Sequence, residues 1–159
     1  MNLKEEPVQY QVSSYEEERG KPMPSLNHSF AQSRLLRALS KCSGIEVASE
    51  LTIEIDGRRY TPDLSVYPER KVDWEHDTLR ETTMPMVTVE ILSPTQPSQD
   101  LMEHKEIYLT AGVKSCWVVL PSFKSIYIYV KDQPVLSFTS GVAHDPVTGL
   151  QADLAEVFR

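Results

Sequence analysis

The chain has 159 residues, of which 40% are hydrophobic and 25% charged, and its formal net charge is −7. That length supports one domain with a core of its own, and the composition is that of a globular protein rather than a low-complexity one. The negative charge argues against a protein that coats nucleic acid through bulk electrostatics; no apolar run approaches a membrane span, and the opening residues MNLKEEPVQY lack the apolar stretch of a signal peptide, so a cytoplasmic protein is expected. The two cysteines, Cys42 and Cys116, have no partner at zinc-finger spacing and are expected to be free, small, mostly buried side chains.

Residues 1 to about 24 show no period. Pro7, Gly20, Pro22 and Pro24 punctuate them around the acidic run Glu16, Glu17 and Glu18, which reads as an N-terminal arm with one short element near Tyr10 to Val12. Ser25 is a good N-cap for a helix running from Leu26 to about Cys42. At helical spacing His28, Ala31, Leu35, Ala38 and Leu39 form a dry side, and Arg34, Arg37 and Lys41 a wet basic one. The basic stripe reads as a solvated face or as a surface that tracks phosphates.

Gly44 ends that helix. Ile45 to Ile55 alternates as a strand with a bulge near Ala48 and Ser49, and Asp56-Gly57 signals a hairpin into Arg58 to Tyr60. Pro62 marks the start of a strand that places Leu64 and Val66 on one face and Asp63, Ser65 and Tyr67 on the other. Residues 68 to 85 form a long polar loop with a helical turn expected around Asp77 to Glu81. Met86 to Leu92 is a strand, Ser98 caps a helix from Gln99 to Ala111, and Gly112 stops it. Ser115 to Leu120 is a strand buried on both faces, and Lys124 to Lys131 a strand with one wetter face. Leu150 to Phe158 is a short helix or strand docking on the core. The order is compatible with a βαβ crossover through the second long helix, hence an α/β or α+β domain with a mixed sheet flanked by helices, undivided over residues 1–159.

Three charged residues stand out against this frame. Glu90 lies inside an apolar strand, between Val89 and Ile91, where an unpartnered carboxylate is costly. Asp63 begins a second strand; taken alone it also reads as a turn residue after proline. Lys105 falls near the centre of a helix side that Tyr108, Leu101, Leu109 and Met102 share, an arc of about 120° at about 100° per residue. It pairs with the two acids or lays its stem on the core with the ammonium in water. Two carboxylates on adjacent strands suit a divalent cation with oxygen ligands, Mg²⁺ or Mn²⁺, and the carbonyl of Ile91 offers a third oxygen. With a lysine nearby to orient or activate water, that set suits phosphodiester hydrolysis.

Pro62-Asp63, Val89-Glu90-Ile91-Leu92-Ser93-Pro94, then Asp100, Lys105, Tyr108, Gly112-Val113 and Trp117 resemble the Uma family of restriction-endonuclease-like proteins, within the PD-(D/E)XK nuclease superfamily. The resemblance spans about residues 10 to 130, and its upstream part includes Tyr15, Glu16, Gly20, Pro24 and His28. It implies that Asp63 and Glu90 bind metal and that Lys105 is the catalytic lysine, supplied by a helix because Leu92 stands two positions after Glu90, where the superfamily usually places lysine. Glu16 matches an acidic position in the arm, and His28 reads either as a satisfied helix histidine or as a residue supporting the site. The expected function is therefore a Mg²⁺- or Mn²⁺-dependent endonuclease acting on DNA, working as a homodimer or higher oligomer through exposed Ile or Tyr of the 124–131 strand. The alternative is a catalytically inactive homo-oligomeric module that keeps the nuclease fold.

Overall fold

The computed structural model describes residues 14–159. The element expected near Tyr10 to Val12 lies outside them. The described chain begins with α1 (Ser14–Arg19), α2 (Leu26–Leu39), β1 (Ile45–Ser49), the hairpin β2 (Ile53–Ile55) and β3 (Arg58–Tyr60), β4 (Leu64–Pro68) and β5 (Val87–Ile91). α3 (Ser98–Thr110), β6 (Ser115–Leu120), a 3-10 turn at Pro121–Phe123, β7 (Ser125–Val130), β8 (Leu136–Phe138), β9 (Val142–His144), β10 (Gln151–Asp153) and α4 (Leu154–Val157) follow.

Six strands form one mixed sheet in the order β1-β4-β5-β6-β7-β8. Only β5 and β6 run parallel, joined through α3 as the βαβ pattern predicts; the other neighbours are antiparallel. Alternation along the strands sorts the two faces. Leu64, Val66, Val87, Val89, Ile91, Trp117 and Val119 point into one core together with Leu35 and Leu39 of α2. On the opposite face Cys116 packs with Tyr108, Leu109 and Val113 from α3 and the turn after it, and with Ile53 and Ile55 of the hairpin. This is an α+β domain with helices on both faces of its sheet, and both cysteines are free.

Local chemistry explains most boundaries. The Ser25 hydroxyl accepts from the His28 N–H at 3.2 Å and starts α2. Asp56 and Gly57 both have positive φ, 50° and 73°, the conformation a two-residue hairpin turn requires. Gly112 follows α3 at φ 106°, which only glycine adopts without strain.

Several expectations are corrected. The strand read from Ile45 to Ile55 with a bulge near Ala48 and Ser49 is divided between two sheets, because Glu50 takes φ 51° and redirects the chain. α1 spans the glutamate run read as part of an arm without a period, with Glu16 buried and Glu17 exposed. α3 begins at Ser98, with Pro97 at the cap and no side-chain cap bond. Around 77–81 there is no helical turn; Glu81 instead bridges to Ile53. The basic stripe faces solvent as read, with Arg37 and Lys41 exposed, and within it Arg34 meets the carbonyl of Arg159 and Lys41 meets Glu156, both at 2.8 Å. Finally, β7 lies between β6 and β8, and Ile126 and Ile128 are buried rather than exposed.

Candidate functional site

Sheet geometry brings the two acids together. β4 and β5 pair antiparallel with Leu64 opposite Val89 and Ser65 opposite Thr88. Continuing that register by one residue sets Asp63 opposite Glu90, on the face away from Leu64 and Val89, and directly opposed residues in such a pair have Cβ atoms about 4.5–5.5 Å apart. Asp63 is 0% exposed and Glu90 4%. Neither carboxylate has enough water to stay charged, so each needs protein donors.

The donors divide the oxygens of each acid into an anchored one and one that faces a cation. Asp63 Oδ2 accepts the Ile91 backbone N–H at 2.7 Å and lies 3.2 Å from His28 Nε2. Glu90 Oε1 accepts the Tyr108 hydroxyl at 2.9 Å. The remaining oxygens share one ammonium: Lys21 Nζ stands 2.7 Å from Asp63 Oδ1 and 3.4 Å from Glu90 Oε2. Arg19 also reaches Asp63 Oδ1 at 3.4 Å, pairs with Glu50 and donates to the carbonyl of Pro22 at 2.8 Å.

The electrostatics follow from this wiring. Burial pushes the Asp63 carboxyl toward its neutral form, but His28 and Lys21 outweigh it and hold its pKa below the usual 3.8. Burial likewise opposes the charge of Lys21, and the Glu90 and Asp63 carboxylates override it to raise its pKa above 10.5. Burial and the adjacent Glu90 drive the Tyr108 phenol well above 10, so it remains a donor.

Of the residues singled out from sequence, Asp63, Glu90, His28 and the Ile91 peptide meet here. Lys105 does not join them. Its ammonium lies 2.7 Å from Glu106 Oε1 and 4.6 Å from the centre of the Tyr129 ring. The reason is helical phase. His104 and Tyr108 share the side of α3 that meets Glu90, and one residue further than His104 rotates the side chain by about 100°. His104 Nδ1 is accordingly the α3 ring nitrogen near Glu90, 3.9 Å from Oε1, with its ring edge-on to Tyr60. Glu16 accepts the Met23 N–H at 3.0 Å, and its carbonyl accepts the Gly20 N–H at 2.9 Å, which folds the segment carrying Lys21.

Sequence reasoning missed Lys21, Arg19, His104 and the role of Tyr108. Tyr108 had a signal: a tyrosine on a buried helix side needs a partner for its hydroxyl, and Glu90 was the nearest unexplained acid. Lys21 had none, because Gly20-Lys21-Pro22 reads only as a turn-rich arm.

The donor set fits a hard divalent cation. The two inward oxygens belong to carboxylates from different strands, and they already bridge a positive charge. Among the described residues no group of three or more His, Cys, Asp or Glu is arranged to hold a metal ion, so a third ligand would come from the backbone or from water, as is common for Mg²⁺. A cleft of about 180 Å³ adjoins the site at His28, between the start of α2 and the turns after β5 and β6, lined in part by Asn27, Ser93, Gln96 and Ser122. Among the described residues no helix is long and apolar enough to cross a membrane.

No curated protein matches the chain. Among solved structures it is similar to the crystal structure of "a putative nuclease belonging to DUF820" from Anabaena variabilis, with a TM-score of 0.72 and 23% identity, over 86% of this chain and 83% of that one. At that identity the likeness carries the fold. A family model described as "Putative restriction endonuclease" matches residues 5–155, nearly the whole length and every element that builds the carboxylate pair, and the chain therefore belongs to the Uma2 family.

Proposed function

We propose that this protein is a divalent-metal-dependent nuclease that hydrolyses phosphodiester bonds in DNA. The observation that carries the reading is the convergence of Asp63 Oδ1 and Glu90 Oε2 on one cation, each acid fixed through its other oxygen. Asp63 and Glu90, with the carbonyl of Ile91, are the residues that would hold Mg²⁺ or Mn²⁺. When bound, such an ion supplies Lewis-acid polarisation of a phosphoryl oxygen and a more acidic water.

The chain's own residues supply position. The Ile91 N–H and His28 hold Asp63 in one rotamer, and the Tyr108 hydroxyl does the same for Glu90, so that their inward oxygens need no reorganisation when charge develops. His28 also has a second ring nitrogen, Nδ1, that is buried without a hydrogen-bond partner among the described residues, and its ring borders the cleft along which a nucleic acid chain would approach. Glu16 acts through the segment it folds rather than at the reacting atoms. Lys105 lies on Glu106 and Tyr129, so a catalytic role for it requires a side-chain swing toward the acids.

The test is cleavage of plasmid DNA. Wild-type protein is expected to cut in Mg²⁺ or Mn²⁺ and not in EDTA, while Asp63→Ala and Glu90→Ala proteins that remain folded are expected to lose the activity. Unchanged cleavage in both variants refutes the assignment. One observation favours the second reading, a non-catalytic homo-oligomeric module: the acids are buried under their own ion pairs. Failure of a folded sample to bind Mn²⁺ at millimolar concentration would shift the balance toward this second reading.

A further inference from the structure

We infer that Lys21 is the resident cation of the carboxylate pair, held between Asp63 and Glu90 in the metal-free protein and displaced when a divalent ion binds them. The inference rests on the metal-binding reading above and adds to it a residue that sets metal affinity.

Three observations carry it. The first is position. The Lys21 ammonium occupies the space between Asp63 Oδ1 and Glu90 Oε2, 2.7 Å and 3.4 Å away. A Mg²⁺ ion approaches carboxylate oxygens to about 2.0–2.1 Å, so an ion held by the same two oxygens and the ammonium cannot share that space. The second is charge. One ammonium faces two carboxylates; Arg19 divides itself between Asp63 and Glu50, and His28 stands 3.2 Å from the other oxygen of Asp63. Exchanging a single charge for a double one between the same oxygens improves the local balance, which gives the exchange its direction.

The third is the way the segment is held. Before Lys21 the Gly20 N–H donates to the Glu16 carbonyl; after it Arg19 donates to the carbonyl of Pro22, and Glu16 accepts the Met23 N–H. These contacts fix the backbone on both sides of Lys21 without using its side chain. The ammonium can therefore leave on its four-carbon stem while α1 stays in place.

The experiment is calorimetric titration of the full chain with MnCl₂, comparing wild type, Lys21→Met and Asp63→Asn. Removing a charge-assisted competitor is expected to tighten Mn²⁺ binding by about tenfold or more, while Asp63→Asn abolishes it. Equal or weaker binding by Lys21→Met overturns the inference and leaves the metal site standing. Absence of binding in both wild type and Lys21→Met overturns the metal site as well. Should Lys21→Met fail to fold, the lysine ammonium signals of ¹⁵N-labelled wild-type protein give the answer during a Mg²⁺ titration. A slowly exchanging ammonium resonance, assigned by its absence from Lys21→Arg, is expected to move or disappear as the ion binds. A resonance unchanged at saturating Mg²⁺ overturns the proposal.

Discussion

Tyr108→Phe removes one oxygen and leaves the ring. In the native protein that oxygen donates to Glu90 Oε1 at 2.9 Å, inside a cluster where Tyr108 is 0% exposed and Glu90 4%. The carboxylate keeps Lys21 at 3.4 Å on its other oxygen but loses its shortest donor. A hydrogen bond to a charged group contributes about 1.5–3 kcal/mol, and water has little access to replace it, so a loss of about 2 kcal/mol is expected. For a chain of this size that lowers the thermal midpoint by about 4–8 °C and the urea midpoint by about 1 M. The assay is urea unfolding followed by circular dichroism and by tryptophan fluorescence, whose coincidence licenses two-state treatment. The same substitution in a Glu90→Gln background isolates the role of charge: the bond is then neutral, and the cost of Tyr108→Phe should fall to about 1 kcal/mol. A cost below about 0.5 kcal/mol in the wild-type background, or an equal cost in both backgrounds, refutes the view that Tyr108 anchors an ionised Glu90.

Two further outcomes are expected. Lys105→Ala breaks a pair with Glu106, whose side chain is 71% exposed, and a cation–π contact with Tyr129, each worth about 0–1 kcal/mol; a stability loss of at most about 2 kcal/mol is expected with Mn²⁺ affinity close to wild type, and a large drop in affinity would return Lys105 to the metal site. Asp145 accepts Trp117 Nε1–H at 3.0 Å and the Val147 N–H at 2.9 Å. Burial works against its charge, but these donors prevail and lower its pKa below 3.8. A depressed folded-state pKa contributes stability above the unfolded value that is lost as pH falls through the folded one. Asp145→Asn should therefore be less stable than wild type near neutrality, and the gap should narrow as pH drops below 3.8. A gap that stays constant between about pH 6 and pH 3 contradicts the assignment.

Much of the scaffold is legible in the sequence because its signals are local. Ser25 caps a helix whose dry residues His28, Ala31, Leu35, Ala38 and Leu39 are all buried, although it ends at Leu39 with Ser40 at its cap rather than running to Cys42 and Gly44. Asp56-Gly57 marks its hairpin. Glu90 is conspicuous because a charge inside an apolar strand demands an explanation, and strand parity already sets it on the face that Asp63 shares. Those features depend on neighbours within a few positions, where backbone sterics and side-chain period act directly.

What the sequence by itself determined is thus the pair of acids, the strands that carry them and the family to which they belong. The tertiary structure alone decided which cation meets them. Lys21 lies 42 residues from Asp63 and 69 from Glu90, on an arm with no period to reveal a facing side. Lys105 looked better placed, yet a helix side is only as narrow as its phase, and one residue of rotation sends its ammonium to Glu106 and brings His104 toward Glu90. Burial makes a countercharge obligatory; the path of the chain in three dimensions selects which residue provides it.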